Sequence, residues 1–104
     1  MMKTEIKESG NQLIVTLCGQ LDTLASQETE KALEPVYVSG KKDVVLDCTD
    51  LEYIASSGLR LFLSLLKKVK ARGGDVTIKN INDDIQNVFK VTGFINLFNF
   101  ENEE

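Results

Sequence analysis

Histidine is absent from the 104-residue sequence. This side chain is the commonest general base near neutral pH and the commonest metal ligand, so its absence removes the simplest route to catalysis. A glycine-rich phosphate loop is absent too, because Gly73-Gly74 precedes a predicted strand, whereas phosphate loops follow one. The sequence therefore predicts a protein that is not an enzyme and that needs no cofactor.

An excess of basic residues is also lacking. Twelve Lys and Arg residues stand against sixteen Asp and Glu residues, which gives a net charge of −4. Nucleic-acid binding needs clustered cations that neutralise phosphates, so we expect no nucleic-acid partner. The densest basic run, at residues 67–72, alternates with apolar residues at helical spacing. Such a run is typical of a solvated helix face, and a shallow contact with an anionic membrane is the alternative.

Cysteine is scarce, and no long apolar run is present. Cys18 and Cys48 lie in separate strand-like runs, and their spacing matches no zinc or redox motif. We expect both thiols to be buried, reduced and dispensable for partner binding, as suits a cytosolic protein. No run approaches the roughly 20 apolar residues of a membrane-spanning helix, and the N-terminus lacks the apolar core of a signal peptide. The sequence predicts a soluble cytoplasmic protein without an integral membrane segment.

The predicted strands follow an α/β order. They lie at residues 4–7, 12–18, 44–46 and 76–79, with a short last strand within 94–100. The first two flank turn residues and predict an antiparallel hairpin whose second strand ends at Gly19. Val44-Val45-Leu46 has no polar alternation, which is typical of an interior strand covered on both sides. We expect residues 47–54 to form the loop that follows it.

Three predicted helices connect the later strands. Asp22 or Thr23 is expected to cap the first, which Pro35 should end or kink. The second begins at Ser56-Ser57-Gly58, and Asn82 caps the third. The apolar face of the second helix comprises Leu59, Phe62, Leu63, Leu66 and Val69. Crossover helices imply parallel strands, so we expect a mixed sheet of four or five strands, opened by the hairpin, with the helices packed on it.

Polar residues near the second helix offer two kinds of chemistry. One of Ser56 and Ser57 is expected to be the helix N-cap. A phosphate on such a serine would be tolerated by the free amides and positive dipole of the helix end. Three carboxylates, at Asp47, Asp50 and Glu52, follow the third strand, where α/β proteins often bind Mg²⁺. Loop solvation and turn capping are the commoner role of such carboxylates.

Three segments stand out together: DLEYIASSGLR at residues 50–60, GQLD at residues 19–22 and VFKVTGF at residues 88–94. In order and in register they resemble the STAS domain family, specifically the anti-sigma factor antagonists of bacteria. The first resembles the family signature, the second the loop after the second strand, and the third the last helix and its turn. The resemblance covers nearly the whole chain. It implies a single STAS-like α/β domain over residues 1–100, followed by a frayed acidic tail at 101–104.

The resemblance implies a partner-switching function. In this family an anti-sigma factor that is also a serine kinase of the GHKL type binds the unphosphorylated antagonist and so frees its sigma factor or another output. Phosphorylation releases the antagonist, and a serine phosphatase resets it. The matching phosphoacceptor here is Ser56, with Ser57 and Gly58 as its neighbours and Asp22 as the nearby acidic residue.

Two residues depart from the family pattern. Ala55 stands where many relatives carry Asp, and Arg60 replaces a small residue and is expected to change partner choice. Leu61 lies about 160° around the helix from Leu63, so we expect it to be exposed as a partner contact. The candidate partner-binding residues are Asp22, Ala55, Ser57, Gly58, Arg60 and Leu61.

Two other functions remain open from the sequence. One is a STAS adaptor that does not switch, in a lipid-transport or signalling complex, with Ser56 only capping its helix. The other is a minimal enzyme that uses the carboxylates of Asp47, Asp50 and Glu52 with a metal ion.

Overall fold

The computed structural model describes residues 2–40 and 43–102, and these form five strands, four α-helices and one 3-10 turn. In chain order the elements are β1 (Lys3–Ser9), β2 (Gln12–Leu21), α1 (Thr23–Ala32), α2 (Glu34–Tyr37), β3 (Asp43–Ile54), α3 (Ser56–Ala71), β4 (Val76–Lys79), α4 (Asp83–Thr92), the 3-10 turn (Phe94–Asn96) and β5 (Asn99–Glu101). None of these helices is long and apolar enough to cross a membrane.

The strands form one mixed sheet in the order β1-β2-β3-β4-β5. β1 is antiparallel to β2, and every later neighbour is parallel. Right-handed crossovers between consecutive neighbours place the four helices on one face. The predicted fold class is confirmed, but the expected cover on both faces of β3 is wrong. Val45 points to the face without helices and stays buried between its strand neighbours Ile14 and Thr77.

The core lies between the sheet and the helices. On β2, Leu13, Val15 and Leu17 are buried, and the residues between them are partly exposed. On α3, the predicted apolar face is confirmed for Leu59, Phe62, Leu66 and Val69, while Leu63 is only partly buried. The Phe62 ring contacts those of Phe89 and Phe98, with centroid distances of 6.1 and 6.5 Å. It therefore connects α3 to α4 and to the residue that precedes β5.

The ends of β2 and β3 differ from the prediction. Gly19 does not end β2, and residues 47–54 are not a loop, because both strands continue and pair as far as Leu21 and Ile54. The paired stretch of β3 is two residues longer than that of β2, because the register shifts by one residue after Thr16 and by one more after Gly19. These bulges interrupt the two-residue period that sequence patterns rely on.

The helix boundaries follow local signals. Asp22 is the N-cap of α1, and Pro35 stands in the first turn of α2, where its missing N–H costs no hydrogen bond. Pro35 therefore marks a new short helix after α1 has ended. At the other end of the chain, Glu101 belongs to β5 and pairs with Lys79, so the expected tail is ordered at its first residue. Residues 103 and 104 of that tail lie outside the described residues.

Candidate functional site

The site predicted from the sequence lies at the carboxyl ends of β2 and β3. Leu21 and Ile54 pair at the last position of the two strands, and the Ala55 amide donates a hydrogen bond to the Leu21 carbonyl at 2.9 Å. The turns that lead into α1 and α3 are therefore adjacent. Two helix N-termini, with their unpaired amides, meet at this edge of the sheet.

Ser56 is the first residue of α3, and its side chain is exposed. The N-cap is Ala55, whose backbone is extended and whose methyl group cannot accept a hydrogen bond, so the prediction of a serine N-cap is wrong. Strand β3 runs directly into the helix and leaves one position for the cap. Within residues 2–40 and 43–102, the Ser56 hydroxyl forms no hydrogen bond. It is accessible and held in place by backbone alone.

Ser57 has a different environment, although it is the next residue. Its side chain is half-buried, and its Oγ lies 3.3 Å from the Oγ of Ser26. The Ser26 hydroxyl in turn donates to the Asp22 carbonyl at 2.7 Å. These hydroxyls connect the first turn of α3 to α1.

Gly58 lets α3 approach the sheet. It is buried, and a Cβ atom built on it would lie 2.8 Å from Ile54 Cγ1 and 2.9 Å from Leu21 Cδ2. Both distances are shorter than a carbon–carbon contact of about 3.5 Å. A side chain at this position would push the first turn of α3, and Ser56 with it, away from the strand ends.

Asp22 supplies negative charge beside the start of α3. Its Oδ1 accepts a hydrogen bond from the Ala25 amide at 2.8 Å, which completes the N-cap of α1. The residue is exposed, and the hydrogen bond between Ala55 and Leu21 brings its turn next to that of Ser56. The role of this acidic residue beside the candidate phosphoacceptor stays a prediction.

Leu61 and Arg60 line a groove between α1 and α3. The expectation that Leu61 is exposed is wrong: its exposed fraction is 5%, because α1 packs over that face of α3. Arg60 is exposed. The groove has a volume of about 400 Å³ and is lined by Thr23, Ser26, Gln27, Glu30, Ser57, Arg60, Leu61 and Ser64. Its lining is polar apart from Leu61.

Two exposed apolar side chains at this edge were missed by the sequence analysis. Leu24, in the first turn of α1, is 67% exposed, and Tyr53, two residues before Ala55, is 50% exposed. Leu24 could have been identified from the sequence because it precedes Ala25, which faces the core, so the adjacent Leu24 points to a different side of α1. Tyr53 was hidden by its assignment to a loop. Tyrosine is among the side chains that contribute most to binding at protein interfaces.

The acidic residues of β3 are not gathered into a group of metal ligands. Asp47 Oδ1 accepts hydrogen bonds from the Thr49 hydroxyl at 2.6 Å and from the Thr49 amide at 3.2 Å. Within the described part of the chain, no three Cys, Asp or Glu residues are grouped so as to hold a metal ion. Asp47 thus bonds to Thr49 within β3, and Asp50 and Glu52 are exposed.

The two cysteines are free thiols with different environments. Cys48 is buried as expected, and burial, followed by the nearby Asp47 charge, raises the pKa of its thiol to about 12. The prediction of burial is wrong for Cys18, which is only partly buried because it faces the side of the sheet without helices. Its Sγ lies 4.0 Å from Asp50 Oδ2.

Comparison with known proteins defines the class. Residues 3–104 match the STAS domain, and the chain belongs to that family. It is similar to the anti-sigma-B factor antagonist of Staphylococcus aureus, 30% identical over 83 residues that cover 80% of this chain and 77% of that protein. The anti-sigma-B factor antagonist of Bacillus subtilis is 26% identical over 92 residues, which cover 88% of this chain and 84% of that protein.

Solved structures share the fold. The anti-sigma factor antagonist SpoIIAA in its unphosphorylated form superposes with a TM-score of 0.83 at 17% identity, covering 98% of this chain and 89% of that one. The Bacillus SpoIIAA in its phosphorylated form superposes with a TM-score of 0.77 at 17% identity, covering 98% and 92%. The strand order and helix positions described above are thus those of anti-sigma factor antagonist structures.

Proposed function

We propose that this protein is a cytoplasmic anti-sigma factor antagonist that switches partners through Ser56. When Ser56 is unphosphorylated, the protein binds an anti-sigma factor that is also a GHKL-type serine kinase. When Ser56 is phosphorylated, the protein leaves that kinase and becomes the substrate of a serine phosphatase. The observation that carries this proposal is the Ser56 hydroxyl, exposed and unbonded at the first position of α3.

The protein acts as phosphate acceptor and binding partner, and the catalytic groups belong to the kinase. The Ser56 Oγ forms a bond to the γ-phosphorus of ATP, the bond to the β-γ bridging oxygen breaks, and ADP leaves. The hydroxyl proton passes to a base of the kinase. The phosphatase later adds water and releases inorganic phosphate. A sequence without histidine supplies no general base of that common type for either step.

The contrast between neighbouring serines supports Ser56 as the acceptor. A kinase must bring the hydroxyl into line with the γ-phosphate, which requires an exposed side chain. Ser56 meets this requirement. Ser57 is half-buried against Ser26, so its reaction would require α3 to separate from α1.

Electrostatics explain how phosphorylation preserves the fold but ends the complex. The phosphate adds a charge of about −1.5 to −2. The amides and dipole of the α3 N-terminus stabilise an exposed anion there by about 0.3–1 kcal/mol. A partner surface that covers Ser56 must instead desolvate the anion beside Asp22, which costs several kcal/mol when no cation compensates. Leu24 and Tyr53 supply the apolar contacts that would lie around it.

Site mapping with the cognate kinase tests the proposal. The purified kinase and ATP are incubated with the wild type, Ser56→Ala and Ser57→Ala, and intact mass and peptide fragmentation locate the phosphate. We expect one phosphate on the wild type and on Ser57→Ala, and none on Ser56→Ala. Phosphate on Ser56→Ala but not on Ser57→Ala would reverse the assignment. If no serine is modified and Ser56→Asp binds every partner normally, an adaptor that does not switch replaces this function.

A further inference from the structure

Arg60 is an exposed cation close to the candidate phosphoacceptor. Within residues 2–40 and 43–102 it forms no ion pair. Glu30 of α1 lines the same groove, but among the described residues no carboxylate lies within 4.0 Å of the Arg60 guanidinium. The guanidinium is therefore available to a stronger anion.

The helix brings Ser56 and Arg60 to the same face. Residues four apart differ by about 40° around an α-helix, and their Cβ atoms lie about 5–6 Å apart. Both side chains are exposed, and they lie on the opposite side of α3 from the buried Gly58. An anion four residues before a cation is also the more favourable order along a helix.

We propose that Arg60 responds to phosphorylation of Ser56. The phosphate on Ser56 binds the Arg60 guanidinium in an ion pair within α3, and the guanidinium moves out of the groove between α1 and α3. This inference rests on the proposed modification of Ser56. The planar guanidinium suits a phosphate because it donates two parallel hydrogen bonds. Phosphorylation thus changes two surface features together, adding an anion at the helix start and removing a free cation from the groove.

Glu30 is the internal competitor for Arg60. Its carboxylate lines the same groove, but it carries one charge against nearly two on the phosphate, and it belongs to another helix. Pairing with Glu30 requires two long side chains to meet across the groove, whereas the phosphate pair forms along one turn of helix. The Arg60 guanidinium therefore pairs with the phosphate and not with Glu30 when Ser56 is phosphorylated.

The test uses phosphoserine inserted at position 56 during translation, so that it needs no kinase. The second pKa of the phosphate is measured by ³¹P NMR titration in the wild type, Arg60→Gln, Arg60→Lys and Lys67→Gln. Lys67 is the matched control, because it is exposed on the same face of α3 but lies about 16 Å from Ser56 along the helix axis. That distance exceeds the screening length of about 8 Å at physiological salt.

A cation that binds the phosphate favours the dianion and lowers its second pKa. We expect the pKa to rise by roughly 0.3 unit in Arg60→Gln, to rise less in Arg60→Lys, and to stay unchanged in Lys67→Gln. The difference between wild type and Arg60→Gln should shrink in about 1 M salt. The Arg60 Nε–H signal of the wild type should shift on phosphorylation.

Equal pKa values in the wild type and Arg60→Gln, or an equal rise in Lys67→Gln, would overturn the ion pair. This outcome is separate from failure of the proposed function. If the kinase does not phosphorylate the wild type but Arg60→Gln still raises the phosphate pKa, the proposed function is refuted and the Ser56–Arg60 ion pair stands. A normal switch with no pKa difference would refute the pair alone.

Discussion

The close approach of α3 to the sheet makes Gly58→Ala the sharpest test of the site geometry. In most helical positions Gly→Ala stabilises a protein, by up to about 1 kcal/mol. Here the new methyl carbon would lie 2.8 Å from Ile54 Cγ1 and 2.9 Å from Leu21 Cδ2. Both neighbours are buried, at 5% and 0% exposure, so neither can swing into solvent.

The steric cost should exceed the gain in helix propensity. Overpacking a core by one methyl group costs about 1–3 kcal/mol. Subtracting a propensity gain of about 1 kcal/mol leaves a net loss of about 1 kcal/mol at the middle of that range and about 2 kcal/mol at its upper end. For a domain of this size, each kcal/mol lowers Tm by about 4–8 °C. The substitution should also displace Ser56 from the strand ends and slow its phosphorylation.

Thermal unfolding followed by circular dichroism measures this effect, with Gly40→Ala as the matched control. A Cβ on Gly40 meets nothing within 4 Å, so its Tm should change little. A Gly58→Ala protein that melts at or above the wild-type temperature would refute the packing argument.

Three further predictions follow from burial and exposure. Phe62→Ala should lower the free energy of unfolding by about 3–5 kcal/mol in urea titrations, and unchanged melting would contradict its core position. At pH 8 a thiol reagent should modify Cys18 quickly and Cys48 only on unfolding, because the Cys48 pKa is raised to about 12; fast modification of both would contradict this. Leu24→Ala and Tyr53→Ala should each weaken kinase binding about tenfold without changing Tm, and unchanged affinity would exclude these side chains from the interface.

Segments with strong local signals were predicted well from the sequence. The residues of β4 match the predicted 76–79, and Asn82 caps α4 by accepting a hydrogen bond from the Ile85 amide at 2.8 Å. Gly93 ends that helix in the left-handed conformation, with φ of 80°. Caps and glycine stops act within a few residues, so they can be read without knowledge of the tertiary structure.

Errors arose where pairing over long distances decides the structure. The second half of β3 contains Asp47, Asp50 and Glu52, which look like loop residues, but it is held by pairing with β2. The apolar pattern of α3 predicts that Leu61 is exposed only if the sheet is taken as the single surface against which α3 packs. A second neighbour, α1, covers that side of the helix, and no period within α3 reports it.

Affinity of the cognate kinase for the two forms of the protein tests the central claim most directly. Calorimetric titration compares unmodified protein with protein carrying phosphoserine at position 56, and Ser57→Ala serves as a control with an intact acceptor. The account predicts that the phosphoserine form binds at least about 100-fold more weakly, as expected when the added anion must be desolvated at the interface beside Asp22, while circular dichroism shows an unchanged fold. Equal affinity of the two forms would contradict it.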